Sequence, residues 1–324
     1  MNAIYTTCTY NHIARAFSLA DSVRKYSPNT KFLIGLIDKV DNNDSLFDGY
    51  ELIGAEDLKL PFFKEMCVKY ITIELNSALK PYFADYIFKN YPEVTNLIYL
   101  DSDILLFDDL NPVYESLKDS SIILTPHSMS SIDSDFNFDD RNFLRTGIFN
   151  SGFFGLKRDS YAFVFLAWWM HKLRNEGYIN PKKGMFAEQL WLNLVPLYFE
   201  RVHVLRHHGC NVAYWNLHER QITQKGEQYI VNGTEPLIFF HYSGASINCF
   251  SENNLSEYQN RHTFTSRPDV IPIFQRYIDL LHEHSFEKFN KYYMITSTIK
   301  TRSPFITFVV QSYKKVVKKL FHVK

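Results

Sequence analysis

The sequence predicts an α/β fold, a parallel sheet covered by helices on both faces. Three observations carry that expectation. Apolar strand-like runs alternate with helical stretches from residue 3 to about residue 125, the order that builds parallel sheets. Aromatic residues make up 16% of the 324 residues, while Gly and Pro number only 12 each, so the chain can bury a sizeable core and is neither disordered nor of low complexity. Polar turns fall where the apolar runs end, and in open α/β sheets ligands bind at the carboxyl ends of strands.

Residues 3–7 form an uninterrupted small and apolar run, the pattern of a buried first strand. A polar turn over residues 8–11 leads into a helix over residues 12–26, which Ser27-Pro28-Asn29 stops. Residues 31–37 give a second strand that ends at Asp38. A helical stretch covers residues 61–90, with interruptions expected at Asn76 and Pro81. Asn96–Leu100 is a short apolar strand, and Asp101-Ser102-Asp103 lies directly at its end. Residues 128–147, rich in Ser, Asp and Asn, read as an exposed loop. A strand around residues 148–156, a helix over 159–175 and a second helix over 186–195 follow. Strands near 202–205, 229–231 and 237–241 complete the plan, a doubly wound half and then a mixed α+β half.

The 35 basic and 35 acidic residues cancel, which argues against a nucleic-acid binder. Their placement is uneven. Residues 291–324 hold eight bases and no acid, so the first 290 residues carry 27 bases against all 35 acids, a net charge of −8. Cys8, Cys67, Cys210 and Cys249 are scattered without a CxxC pair and read as reduced thiols of an intracellular protein. The N-terminus has neither a basic n-region nor a long apolar h-region, so a cytoplasmic location is expected.

Two carboxylates one residue apart at a strand end can turn toward one hard divalent cation, Mn²⁺ or Mg²⁺, which bridges diphosphate oxygens. The triplet by itself is weak. Asp133-Ser134-Asp135 repeats it inside the polar loop with no strand before it, where a solvated turn is the better reading. Asp101 and Asp103 differ because the apolar run before them aims both at the sheet rim.

The strand with Asp101-Ser102-Asp103 resembles the metal-binding DxD of GT-A-fold, nucleotide-sugar-dependent glycosyltransferases. Three further segments, in the same order, are similar to the family 8 group, which includes bacterial galactosyl- and glucosyltransferases and glycogenin. Phe149-Asn150-Ser151-Gly152 resembles the strand that lines the donor-sugar pocket. Phe186-Ala187-Glu188-Gln189-Leu190 resembles that family's Asp-Gln-Asp helix, with Glu188 for the first Asp and Leu190 for the second. Phe240-His241-Tyr242-Ser243-Gly244 resembles its His-x-x-Gly segment, but no lysine follows Gly244 at short spacing, where the family places a diphosphate contact.

The resemblance implies a GT-A domain over residues 1–290 with a Rossmann-like nucleotide-binding half. It implies transfer of a hexose from a UDP-linked sugar to a glycan or lipid-linked acceptor, with retention, in cell-surface polysaccharide or lipopolysaccharide synthesis. Asp101, Asp103 and His241 would hold Mn²⁺ or Mg²⁺, with Ser102 between the carboxylates. Thr7, Tyr10, Asn11 and Asp38 would receive the nucleoside, Tyr10 stacking on the base, while Asn150, Gly152, Gly244 and Lys80 would face the sugar or diphosphate. Glu188 or Gln189 would stabilise the oxocarbenium-like state, and residues 128–147 would close over the donor. Asn211, Tyr214, Trp215 and Asn216 read either as a sugar-stacking group or as core.

In the tail, Phe305, Phe308, Val309, Tyr313, Val316, Val317, Leu320 and Phe321 form an apolar stripe at helical spacing, flanked by Lys314, Lys315, Lys318 and Lys319. This basic amphipathic pattern suits an anionic membrane surface, which would place the enzyme on the inner face of the cytoplasmic membrane. Two other readings stand beside the enzyme. A sugar nucleotidyltransferase would need a Gly-rich loop after the first strand, and residues 6–11 contain no Gly. A non-catalytic nucleotide- or carbohydrate-binding protein would keep the fold with a degenerate donor site.

Overall fold

The computed structural model of the chain describes residues 1–38, 47–132 and 139–290. Along the chain run β1 (Asn2–Cys8), α1 (Ile13–Tyr26), β2 (Lys31–Leu36), β3 (Glu51–Gly54), α2 (Phe63–Lys69), α3 (Thr72–Asn90), β4 (Asn96–Leu100) and β5 (Ile104–Leu106). Next come α4 (Asn111–Asp119), β6 (Ile122–Pro126), α5 (Asp140–Thr146), β7 (Phe149–Lys157), α6 (Ser160–Glu176) and the short pair β8 (Ile179–Asn180) and β9 (Met185–Phe186). The order closes with α7 (Val195–Tyr198), β10 (Val202–Val204), β11 (Ile222–Lys225), β12 (Gln228–Val231), β13 (Glu235–Pro236), β14 (Phe239–His241), α8 (Ile271–Glu283) and α9 (Phe286–Phe289).

Seven strands form one sheet in the order β10-β6-β7-β4-β1-β2-β3. All its pairs are parallel except those of β7, which runs antiparallel to both β4 and β6. The expected division into two halves therefore gives way to one shared sheet, because β7 and β10 from the second half pair into the first. β4 has Leu97, Ile98, Tyr99 and Leu100 fully buried, as a central strand between two neighbours requires. One face packs on α3 and α6 through Phe83, Phe88, Phe165 and Trp169. The other carries α1 with Phe17 and Ala16, backed by α8 and α9.

Local differences have physical reasons. Residues 61–90 break at Tyr70–Ile71 rather than at Asn76 or Pro81, and α3 continues through Pro81. The core packed around Leu79, Phe83 and Ala84 outweighs the roughly 3 kcal/mol that an interior proline costs. The expected helix over residues 186–195 is instead a left-handed turn at Ala187 (φ 47°), a 3-10 stretch over Gln189–Leu194 and the short α7. Within the loop over residues 128–147, α5 forms because the Asp139 carboxylate caps it, accepting from the Arg141 backbone N–H at 2.8 Å. Asp133 and Asp135 lie outside the described residues, and so does the tail, residues 291–324. No helix among the described residues is long and apolar enough to cross a membrane.

Two smaller pairings set the site. β14 runs antiparallel to β5 with His241 opposite Ile104, and the Tyr242 N–H donates to the Asp103 carbonyl at 2.8 Å. β7 lies beside β4, and the Asp101 N–H donates to the Gly152 carbonyl at 2.8 Å.

α6, which braces the sheet behind the site, begins at the Asp159 cap. Asp159 accepts from the Ala162 N–H at 3.0 Å and from the Ser121 hydroxyl at 2.6 Å. Asp159→Ala should lower stability by about 1 kcal/mol, read as a shifted urea midpoint at unchanged slope.

Candidate active site

Asp101, Asp103 and His241 converge at the carboxyl end of β4. One ligand atom from each lies within 4.8 Å of the others. His241 Nε2 is 3.1 Å from Asp103 Oδ1 and 3.9 Å from Asp101 Oδ2. The other ring nitrogen, Nδ1, faces the amide oxygen of Asn211 at 3.3 Å. An amide oxygen only accepts, so Nδ1 carries a hydrogen there and Nε2 is turned to the carboxylates. Nε2 must then be protonated or share a cation with them, which is the donor set of a divalent metal site with two oxygens and one nitrogen.

The space for an ion is kept open by Gly152. A Cβ there would come within 2.8 Å of Asp101 Oδ2 and Asn150 Oδ1 and would press on the His241 ring. Asp103 is poised to ligate as an anion. Burial alone would raise its carboxyl, but the His241 charge and hydrogen bond, with Arg15, hold it well below the usual range.

Asp101 is aimed by its other oxygen. Oδ1 accepts from the Tyr99 hydroxyl at 2.5 Å and pairs with Lys80 Nζ at 3.0 Å, leaving Oδ2 toward His241. The Tyr99 hydroxyl lies 3.0 Å from the Thr7 hydroxyl. Lys80 is buried and spends its three hydrogens on Asp101, on Glu188 Oε1 at 2.7 Å and on the Ser151 carbonyl at 3.1 Å. Burial would lower the Lys80 ammonium, but Asp101 and Glu188 raise it above its ordinary value. Burial would raise Glu188, but Lys80 and the Ser151 hydroxyl bring it below its ordinary value. Lys80 thus ties two carboxylates together in this arrangement rather than standing free for a diphosphate.

Gln189 is buried beside Glu188. Its Oε1 accepts from the Ser151 N–H at 3.1 Å and from Asn150 Nδ2 at 3.3 Å, and its Nε2 donates to the Thr146 carbonyl at 2.8 Å. Asn150 also meets His127 Nε2 at 3.2 Å and accepts from Asn211 Nδ2 at 3.2 Å. Burial pushes the His127 imidazole down to about 3, so it is a neutral partner. A chain of amides thus links Gln189 through Asn150 and Asn211 to His241.

The other expected site residues are placed as follows. Ser102 is buried between the two aspartates. Gly244 has a φ of 68°, a conformation that suits glycine. At the end of β1, the Tyr10 N–H donates to Asp38 Oδ2 at 2.6 Å, and Asp38 Oδ1 is buried without a hydrogen-bond partner among the described residues. Asn11 Oδ1 accepts from the Thr9 hydroxyl at 2.6 Å. The Tyr10 ring sits edge-on to Phe47 and Phe289, so stacking on a base would require it to leave those contacts. Trp215 is core rather than a sugar platform, buried edge-on against His241 and His127. Sequence reasoning missed Tyr99, Ser151 and His127. The two-residue spacing from Asp101 puts Tyr99 on the same face of the extended chain, but nothing local signals Ser151 or His127.

Lys80→Met should cost on the order of 3–5 kcal/mol at pH 7, because it leaves Glu188 buried without its counter-ion. Part of that loss should return between pH 7 and about pH 5, as the unpaired Glu188 takes up a proton. In the wild type the Glu188 contribution is present above the ordinary carboxylate range and lost as pH falls through its lowered value. The Lys80 contribution is present below the ordinary lysine range and lost as pH rises through its raised value. Urea denaturation of both proteins at the two pH values reads the difference, and equal stability throughout would contradict it.

No family model matches the chain. It is 26% identical over 208 residues to the uncharacterized protein YfnF of Bacillus subtilis (strain 168), covering 64% of this chain and 67% of that protein. Over 182 residues it is 26% identical to the uncharacterized protein YfnD of the same organism, spanning 56% of each. Among solved structures, the galactosyltransferase LgtC in complex with donor and acceptor sugar analogs superposes with a TM-score of 0.51 at 15% identity, over 87% of this chain and 95% of that one. The bifunctional glycosyltransferase WbbM superposes with a TM-score of 0.51 at 13% identity, over 89% of this chain and 51% of that one. The chain has the GT-A fold of these glycosyltransferases.

Proposed function

We propose that the chain is a metal-dependent glycosyltransferase that moves a hexose from a UDP-linked sugar to a glycan or lipid-linked acceptor. The observation that carries this reading is the convergence of Asp101, Asp103 and His241 at the end of β4, in a fold shared with glycosyltransferases. Mn²⁺ or Mg²⁺ held there would supply charge neutralisation on the diphosphate leaving group. The chain's own residues do the positioning. Tyr99 and Lys80 fix Asp101, Asn211 fixes the His241 ring, and the turn after β1 with Asp38 offers polar groups for the nucleoside.

Retention, the outcome that the family resemblance implies, would not run by double displacement through Glu188. A double displacement needs a free carboxylate on the sugar, but Glu188 is bound by Lys80 and the Ser151 hydroxyl. Gln189, held through both ends of its amide, is the better candidate to present a carbonyl dipole to an oxocarbenium-like centre. The acceptor hydroxyl then attacks from the face that the diphosphate leaves. We further propose synthesis of a cell-surface polysaccharide or lipopolysaccharide as the setting. The basic aromatic composition of residues 291–324 would bring the site to the inner face of the cytoplasmic membrane.

Asp103→Asn should lower sugar transfer about 100- to 1000-fold, as expected when a group supporting charge on the leaving group is removed, with an unchanged circular dichroism spectrum. Transfer at the wild-type rate in that variant would contradict the proposal. For the tail, the full chain carrying Lys314→Glu, Lys315→Glu, Lys318→Glu and Lys319→Glu should lose co-sedimentation with phosphatidylglycerol vesicles. Equal pelleting of both proteins would remove the membrane assignment.

A further inference from the structure

Among the described residues, the segments expected at the donor site supply no evident free cation for the charge that a glycosyl transfer releases. When the sugar C1–O bond breaks, its electron pair stays on the terminal phosphate oxygen. The acceptor oxygen bonds to C1, and its proton passes to that phosphate oxygen. The stretch after Gly244 supplies no base: it reads Ala245-Ser246-Ile247-Asn248, with Ala245 buried and Ile247 packed in the same apolar cluster. Gly244 itself is covered, since a Cβ there would meet Tyr258 at 2.6 Å and Ser256 at 2.7 Å. Lys80 is held by two carboxylates and a carbonyl. His12 is neutral, because desolvation and the Arg15 charge push its imidazole down to about 4.

We propose that Arg15, in the first turn of α1, binds the diphosphate of the donor and neutralises the charge left on it. The proposal rests on the donor-site reading above. Arg15 stands at the carboxyl end of β1, the same end of the sheet as Asp101 and Asp103 because β1 and β4 run parallel, and within electrostatic reach of Asp103. It is tied to the same rigid unit as that ligand. Arg15 Nη1 donates to the Tyr277 hydroxyl at 3.2 Å, and the Tyr277 ring stacks on Tyr242 at 3.9 Å and 7°. The Tyr242 N–H in turn donates to the Asp103 carbonyl at 2.8 Å. The Phe286 ring lies 5.4 Å below the guanidinium.

The guanidinium is positioned without being consumed. Its Nε is buried with no hydrogen-bond partner, and Arg15 forms no ion pair with a carboxylate within 4 Å among the described residues. An arginine has five donors in a planar fork that matches phosphate oxygens two at a time. A buried donor left unpaired costs stability unless a ligand completes it. The charges agree. Counting Asp101, Asp103 and Glu188 against Lys80 and Arg15, with His241 neutral as a metal ligand, leaves a net of one negative charge. A divalent ion turns this positive and so favours an arriving diphosphate.

The test compares full-length wild type with Arg15→Gln and Arg15→Lys by calorimetry. UDP, GDP, ADP and dTDP are titrated into wild type with saturating Mn²⁺, and the tightest of the four is carried forward. Arg15→Gln should bind that nucleotide about 10- to 100-fold more weakly, the range for a lost charge-assisted hydrogen bond, and Arg15→Lys should recover part of the loss. Mn²⁺ alone should bind Arg15→Gln at least as tightly as wild type, because a positive charge has been removed beside Asp103. Unchanged nucleotide affinity in Arg15→Gln would overturn the proposal. So would a parallel loss of Mn²⁺ and nucleotide, which would make Arg15 a support for Asp103 only. If none of the four nucleotides binds wild type in a Mn²⁺-dependent way, the donor-site reading falls, and the role of Arg15 with it.

Discussion

One buried ammonium group organises the site. Lys80 reaches from α3 into the junction of β4, β7 and the 3-10 stretch after Ala187, where it meets Asp101, Ser151 and Glu188. Three elements distant in sequence are thereby joined at a point with no water-like dielectric to weaken the attraction. The same contact sets the chemistry. Because Lys80 takes Asp101 Oδ1, Asp101 Oδ2 is left facing His241, and because it also takes Glu188, that carboxylate is not free.

The second requirement is long-range pairing. Asp103 and His241 are brought together by β5 and β14, two three-residue strands that pair antiparallel as a separate two-stranded sheet. Such short strands would not persist alone. They are held by burial of Leu105, Phe239 and Phe240 and by the bridge from Val212 to Phe240, which also delivers Asn211 to the His241 ring. The amide chain from Gln189 through Asn150 and Asn211 to His241 then couples the 3-10 stretch after Ala187 to the candidate metal site.

Much of the fold was legible because its strands are apolar runs with clear stops. Asp101 and Asp103 stood out from Asp133 and Asp135 because only the former follow such a run. The topology was less legible. β7 and β10 look like parts of a separate half, and only their pairing shows that they complete the first sheet. Lys80 could be named, but its partners depend on α3 running through Pro81, which local propensity argues against. Glu188 and Gln189 could be named too, but both turn inward only because Ala187 adopts a left-handed conformation and the chain tightens into a 3-10 stretch. Arg15 has no local signature, since the hydroxyl that positions it belongs to Tyr277 at the far end of the chain.

Two carboxylates at the end of β4 and an imidazole from β14 are proposed to hold one divalent ion. Electron paramagnetic resonance of Mn²⁺ titrated into the full chain tests it most directly. One tightly bound Mn²⁺ per wild-type chain, lost in Asp101→Ala and in His241→Ala, is the predicted result. A wild type that binds no Mn²⁺, or undiminished binding in both variants, would contradict it.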